Sequence, residues 1–225
     1  MQFTVTAWSY SRLADYEQCP AKFRYKYLER MPEPGSPAME RGNYIHKQAE
    51  NFIKSRDRGA VVPKELKYVA TELKYLRDVG AMAEEEWGFK NDFSWTRRKG
   101  WFGEDVWFRA KADVVVEYDD ASLLLGDWKT GKKYETNEDQ IELFALAGFH
   151  RFEKVKEVDT RLWYTDISGD NEVRRMFYED EVDRLVKKWT KKTTAMFTDR
   201  KFPPKPNDRC KWCHYRRANG GPCKI

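Results

Sequence analysis

The sequence has no long hydrophobic run. Its apolar stretches are short, as at Val114–Val116, against the roughly 20 residues a membrane-spanning helix needs. Mean hydropathy is −0.87 and 35% of residues are charged, so a membrane protein is excluded on composition. The opening residues, MQFTVTAWSYSR, show no basic segment followed by an apolar core, so a secretory leader is not expected and a soluble, cytoplasmic protein is. There is no internal repeat, no low-complexity tract and no GxxxxGK[ST] phosphate loop, which argues against an NTP-driven motor. Histidine is scarce, with three residues, so no histidine-rich metal site can be built. Cysteine is scarce too, with four, and without a secretory context these do not read as a disulfide framework.

Aromatic residues are plentiful at 15%, which argues against disorder. A chain of 225 residues suits a single domain spanning 1–225 and buries about 70% of its unfolded surface. The net charge of +5 is unevenly spread. Residues 187–225 hold twelve Lys/Arg against only Asp199 and Asp208, so the preceding body is net acidic. A basic end on an acidic body suits a polyanion-binding surface beside a carboxylate-containing site; a solvated lysine-rich helix face is the plainer alternative. Cys210, Cys213 and Cys223 crowd the end of the chain while Cys19 stands near its start. The Cys210-Lys-Trp-Cys213 spacing lets two thiolates grip one metal centre, and a four-cysteine clasp would tie residues 1–30 to 200–225. Four unrelated reduced thiols are the bland reading.

Prolines punctuate the chain at Pro32–Pro37 and Pro203–Pro206, where helix must stop. Before the first break, Ser9 or Ser11 caps a helix carrying Leu13, Tyr16, Phe23 and Tyr27, bent or restarted at Pro20. Further helices are expected over about Ala38–Arg58 and Lys64–Glu85. The period then changes. Val106–Tyr118 and Leu123–Lys129 read as two strands of a hairpin across the Asp119-Asp120-Ala-Ser turn, with Trp87–Trp95 and Trp101–Phe102 as weaker strands. Thr136-Asn-Glu-Asp139 has capping-box spacing and opens a helix through His150. Strands at Arg161–Asp166 and Glu172–Glu179 and a helix from Asp180 to Asp199 complete an α/β (α+β) domain, a small mixed sheet flanked by helices.

Within the hairpin, Asp127 and Lys129 are two apart and share a face, and strand register can bring Asp113 beside them. Two carboxylates with an ammonium suit Mg²⁺ or Mn²⁺ and the hydrolysis of a phosphodiester; a surface ion pair at a strand end is the alternative. His46 lies on the second helix on one face with Ala49, Glu50 and Ile53, as a third ligand or as an ordinary satisfied histidine. Gln140, followed one turn later by Phe144, is placed to bond phosphate or another active-site group, or is a plain exposed helix residue. Tyr10, Tyr16, Trp212 and Tyr215 are candidates for stacking on unpaired bases, or else core.

Taken together, Gly42-xxx-His46, Lys111-Ala-Asp113, Asp127-Trp-Lys129-Thr-Gly131 and Gln140-xxx-Phe144 resemble, in order and spacing, the PD-(D/E)XK nuclease superfamily in its RecB-like branch. The segment Ser9–Phe23, with Cys19 before Pro20, resembles the first helix of the iron–sulfur members, such as the CRISPR-associated RecB-like exonucleases and AddB-type nuclease domains. The resemblance implies a restriction-endonuclease-like core. It also implies a metal held by His46, Asp113, Asp127 and the main-chain carbonyl of Trp128, with Lys129 activating water and Gln140 positioning phosphate. An extra carboxylate is implied at Glu86 or its neighbours Glu84 and Glu85. Cys19, Cys210, Cys213 and Cys223 would bind a structural [4Fe–4S] cluster, with Cys₄ zinc as runner-up. Where the branch has Gln-xxx-Tyr this chain has Phe144, without the hydroxyl, and the Cys213–Cys223 spacing is longer than expected.

The implied activity is a metal-dependent DNA exonuclease working from ends, with single strands preferred. Tyr10, Arg12, Tyr16, Arg216 and Arg217 are its expected DNA contacts. Recombination, repair, phage DNA processing (then in the host cytoplasm) or CRISPR adaptation, with the partner proteins of those processes, are the implied settings. A catalytically inert binder of DNA ends or single strands, and an endonuclease using the same site, are the alternatives.

Overall fold

A computed structural model describes residues 3–133 and 137–225. In chain order the helices are α1 (Tyr10–Gln18), α2 (Pro20–Phe23), α3 (Pro37–Ile53), α4 (Ala70–Asp78), α5 (Asn137–Arg151) and α6 (Val182–Thr198). The strands are β1 (Met82–Phe89), β2 (Phe108–Glu117), β3 (Ser122–Lys129), β4 (Glu157–Tyr164) and β5 (Glu172–Tyr178). They form one sheet in sequential order, antiparallel except where β3 and β4 run parallel. That parallel pair needs a crossover, and α5 supplies it. No helix is long and apolar enough to cross a membrane among the described residues.

Local chemistry accounts for the helix ends. The Ser9 side chain accepts from Arg12 N at the start of α1, and that of Ser36 accepts from Met39 N at the start of α3, with Pro37 in its first turn. Pro20 restarts the chain as α2 after Cys19, which has extended φ/ψ, and α2 runs into a π-helical turn at Arg24–Leu28. The expected second helix ends at Ile53 rather than Arg58, because Ser55–Gly59 turns, with Asp57 accepting from Gly59 N. The capping box expected at Thr136–Asp139 begins on a residue outside the described ones.

Two apolar layers sandwich the sheet. One face carries Val115, Leu123, Leu125, Val158, Leu162 and Phe177, covered by Leu143, Phe144 and Leu146 of α5, Leu185 and Trp189 of α6, and Leu13 of α1. The other carries Val114, Val116, Leu124, Trp128 and Trp163, covered by Ile45, Ala49 and Phe52 of α3 and Leu73 and Leu76 of α4.

One irregularity matters for function. Val115 and Ala112 both pack on the first face, although residues three apart on a regular strand point to opposite faces. In β1, Ala83 packs on the second face while Trp87 and Phe89 pack on the first. The faces therefore switch in both strands at one place, between the pairs Ala83↔Val114 and Glu85↔Ala112. Glu84 sits at that break with φ of 62°, which non-glycine residues rarely adopt. The expected helix from Lys64 to Glu85 is thereby corrected. It ends at Asp78, turns at Gly80 (φ 72°) and gives way to β1. Trp101–Phe102, expected as a strand, belongs to a 3₁₀ segment, Arg97–Phe102.

Candidate active site

The hairpin delivers the two aspartates. Val114 pairs with Gly126, and continuing that register by one step sets Asp113 opposite Asp127. Opposed residues of an antiparallel pair share a face. Both are buried, at 4% and 6% exposure. Gly126 lets the chain pass, since a Cβ there would lie 2.1 Å from the Trp163 ring. Trp128 points the other way and stacks on Trp163 with ring centroids 4.8 Å apart. This anchors the strand while its neighbours face the cleft.

Each aspartate has its own partners. Asp113 Oδ2 accepts from Trp128 N at 2.8 Å and lies 3.0 Å from His46 Nδ1, brought in by α3. Burial, and then the charge of Asp127, hold the Asp113 carboxyl above its ordinary range, against the opposing pull of His46. Burial alone would depress the imidazole of His46, but its hydrogen bond to Asp113 and that residue's charge raise it on balance. Asp127 Oδ1 accepts from Gln140 Nε2 at 2.9 Å, while Asp127 Oδ2 sits 2.5 Å from Lys129 Nζ.

Glu84 completes the group. The nearest ligand atoms of His46, Glu84 and Asp113 lie within 4.8 Å of one another, and Glu84 also pairs with Lys111. Sequence reasoning favoured Glu86, which is exposed. The acidic triplet was the available signal, but the face switch that turns Glu84 inward has no mark in the sequence. The set passes a chemical test for a hard divalent cation. Its donors are carboxylate oxygens and one imidazole, and Asp127 Oδ2 is buried with no aligned hydrogen-bond donor, its contact being the lysine ammonium.

These side chains open into a cleft of about 500 Å³ lined on one side by Ser9, Tyr10 and Ser11 and on another by Trp101, Leu143 and Phe144. The Tyr10 hydroxyl is pushed up to about 12 by burial, then by the charge of Asp139. Other residues expected to meet DNA lie elsewhere. Tyr16 donates its hydroxyl to Asp199 Oδ2 and packs edge-on against Phe23. Tyr215 is buried and donates to Met31 O. Arg216 and Arg217 sit on the cysteine loop, Arg217 exposed. Trp212 is 79% exposed.

Cys19, Cys210, Cys213 and Cys223 all line one pocket, together with Lys22, Lys205, Arg209 and Arg216. Cys19 Sγ accepts from Lys205 N and Cys210 Sγ from Asn207 N, both at 3.4 Å. The long Cys213–Cys223 spacing is used to fold the chain back. Gly220 takes φ of 85°, and a Cβ on Gly221 would strike the Tyr215 backbone at 2.2 Å. Cys223 N then donates to Tyr215 O at 2.9 Å.

Comparison with known proteins sets this geometry in context. A search of curated proteins finds no match. Among solved structures, a crystal structure from Eubacterium rectale described as "Putative exonuclease" is similar in fold at 11% identity and a TM-score of 0.51, covering 94% of this chain and 88% of its own. The crystal structure of SSO0001 covers 98% of this chain and 88% of its own at 14% identity and a TM-score of 0.49. The sequence model of the PD-(D/E)XK nuclease superfamily matches residues 7–218. On that match, which takes in every residue of the cleft described above, this chain belongs to the PD-(D/E)XK nuclease superfamily.

Proposed function

We propose that the protein is a divalent-metal-dependent DNA exonuclease that hydrolyses phosphodiester bonds from DNA ends, with single strands preferred. One observation carries this reading: Asp113 and Asp127 are buried beside each other in an open cleft, with His46 and Glu84 on one flank and Lys129 on the other. His46, Glu84, Asp113, Asp127 and the main-chain carbonyl of Trp128 would hold Mg²⁺ or Mn²⁺. Such a cation neutralises phosphate charge and activates water.

The chain's own groups do the rest. Lys129 Nζ orients the attacking water and sets positive charge beside the reacting phosphate. Gln140 fixes Asp127 through Oδ1, so the second oxygen and the lysine keep their aim. Leu143, Phe144 and Trp101 form the less polar wall of the cleft. The similar fold of the E. rectale protein, described as "Putative exonuclease", agrees with action at ends.

In the same reading the four cysteines hold a [4Fe–4S] cluster of structural role, with a single zinc ion as the alternative. Support comes from the shared pocket, the main-chain N–H groups aimed at two sulfurs and the four cations lining it, as expected around anionic thiolate ligands. Recombination, repair, phage DNA processing or CRISPR adaptation are settings that suit this activity.

The test is digestion of end-labelled linear single strands, linear duplex and closed circles with Mn²⁺, Mg²⁺ or EDTA, using native protein and Lys129→Ala. Metal-dependent shortening of linear DNA, sparing of circles and a dead Lys129→Ala are expected. Cut circles would make the enzyme an endonuclease. Tight binding without cleavage would make it an inert DNA-binding module.

A further inference from the structure

Most arginines whose contacts are resolved are matched to carboxylates: Arg161 and Arg174 to Asp159, Arg175 to Glu142, Arg41 to Asp166 and Arg184 to Glu181. Besides Arg151, over the Trp95 and Phe152 rings, and Arg200, on main-chain carbonyls, Arg12, Arg30 and Arg109 stand outside this pattern. They line one cavity of about 520 Å³ between the amino-terminal segment, the π-helical turn and the start of β2, and no carboxylate lines it. Among the described residues none of the three makes an ion pair. Arg12 Nη1 donates to Ala7 O at 3.2 Å, and its guanidinium lies 4.9 Å from the centre of the Tyr27 ring. Arg109 Nε is buried with no hydrogen-bond partner, and its guanidinium lies 5.4 Å from the ring of Phe102, which is 85% exposed. The fourth cation, Lys26, is already held by Asp15 and Glu33.

Burial lowers the pKa of Arg12, Tyr27 opposes that, and Arg30 lowers it further; burial and then Arg12 lower that of Arg109. Arg12 thus lies within electrostatic reach of both other guanidiniums in a cavity that no carboxylate lines, an arrangement that a bound anion would relieve. Guanidinium groups match phosphate with paired donors, and an exposed ring beside them suits a base.

The cavity adjoins the active-site cleft. Arg109 lines both. It stands two residues, about 7 Å along β2, from Lys111, whose ammonium holds Glu84. An anion held in this cavity would therefore lie next to the cleft.

We propose that Arg12, Arg30 and Arg109 form a phosphate subsite of the nuclease, holding a phosphate of the bound DNA strand that neighbours the scissile one, with Phe102 beside the adjoining nucleotide. The proposal rests on the nuclease reading above. The phosphate is either a terminal one, which would make the cavity an end sensor, or an internal one of the backbone, and the test separates these sources.

The experiment uses the full chain and fluorescent single-stranded oligonucleotides ending in phosphate or hydroxyl at either end. Equilibrium binding is measured in EDTA across a salt series, and kcat and KM of cleavage are measured with Mn²⁺. Arg30→Gln, on an exposed residue, and Arg109→Gln are each expected to weaken binding and raise KM about tenfold, with kcat changed less than about threefold. Each should also flatten the slope of log K against log salt by about 0.7. Arg109→Lys should recover part of the loss. A native preference for a terminal phosphate that the variants lose assigns the terminal source; equal weakening on all oligonucleotides assigns the internal one. Native binding with unchanged affinity and salt slope in both glutamine variants overturns the proposal alone. A native protein that binds no DNA overturns the nuclease reading and the proposal with it.

Discussion

Glu84 shows how much one backbone angle decides. Its φ of 62° lets two paired strands change faces together, and the carboxylate joins His46 and Asp113 instead of the solvent-facing row that Glu86 occupies. Strain of this kind persists where surrounding structure enforces it and often marks a functional position. Glu84→Gln keeps the shape and removes the charge. It is expected to weaken Mn²⁺ binding by about 10–100-fold, read by calorimetric titration, while Glu86→Gln binds as the native protein does. Equal effects of the two substitutions would remove Glu84 from the ligand set. Gly126 is the second residue on which the site depends. A Cβ would meet Trp163 ring atoms at 2.1 and 2.7 Å, and that ring is held by its stack on Trp128 and by Nε1 donating to Glu172. Gly126→Ala should cost about 1–3 kcal/mol through overpacking, seen as a fall of several degrees in Tm. An unchanged Tm would show that Trp163 moves aside freely.

At the scale of elements, α1 is tied to the π-helical turn by one carboxylate. Asp15, 14% exposed at its side chain, receives Lys22 at 2.6 Å, the Tyr27 hydroxyl at 2.7 Å and Lys26 at 3.2 Å. Burial pushes its carboxyl up, but the Lys22 hydrogen bond and charge, with Tyr27 and Lys26, bring it below the ordinary 3.8 on balance. A carboxyl with a depressed folded-state value releases its proton more readily when folded. Its stabilisation is therefore fully present above the unfolded value of about 4 and is lost as pH falls through the folded one. Asp15→Asn should cost about 1–3 kcal/mol near neutral pH, and urea unfolding should show the gap to native protein narrowing below about pH 4. A gap independent of pH would mean the charge is irrelevant. The same scale shows what the sequence could convey. The hairpin was legible because β-branched and aromatic content and the Asp119–Ser122 turn are local signals, whereas the sequence left the register that sets Asp113 beside Asp127 open and the pairing of Val114 with Gly126 supplies it. The first helix start was legible for the same reason, with Ser9 rather than Ser11 as its cap. The face switch at Glu84, and hence the third carboxylate, depends on how β1 is paired with β2, and residues 64–85 by themselves carry a helical pattern. The arginine cavity was hidden as well, since Arg12, Arg30 and Arg109 are far apart in sequence and only the fold shows that they lack carboxylates.

Across the whole molecule, the two ends of the chain are bound to each other beside the cleft. Ala21 N donates to Pro203 O, Lys205 Nζ to Glu17 O, Asn207 Nδ2 to Gln18 O and Tyr215 OH to Met31 O. The four cysteines lie within this seam, and the basic tail that follows α6 runs through it. α1 supplies Ser9, Tyr10 and Ser11 to one wall of the cleft, so whatever fixes the seam also fixes that wall. The proposed metal ligands, by contrast, come from β1, β2, β3 and α3, which the two main cores hold with Phe202 as the tail's contribution. On the proposed role of the cysteines, loss of one should therefore damage stability and DNA binding before it damages chemistry. Cys213→Ala is expected to lose bound iron and sulfide, or zinc if that is the metal held, to melt lower and to bind single strands more weakly. The kcat at saturating DNA should fall much less than the affinity does. Metal analysis of the native protein separates the two cofactors directly. If Cys213→Ala keeps native thermal stability and full activity, the seam is held by its hydrogen bonds alone and the cysteine pocket has no structural role.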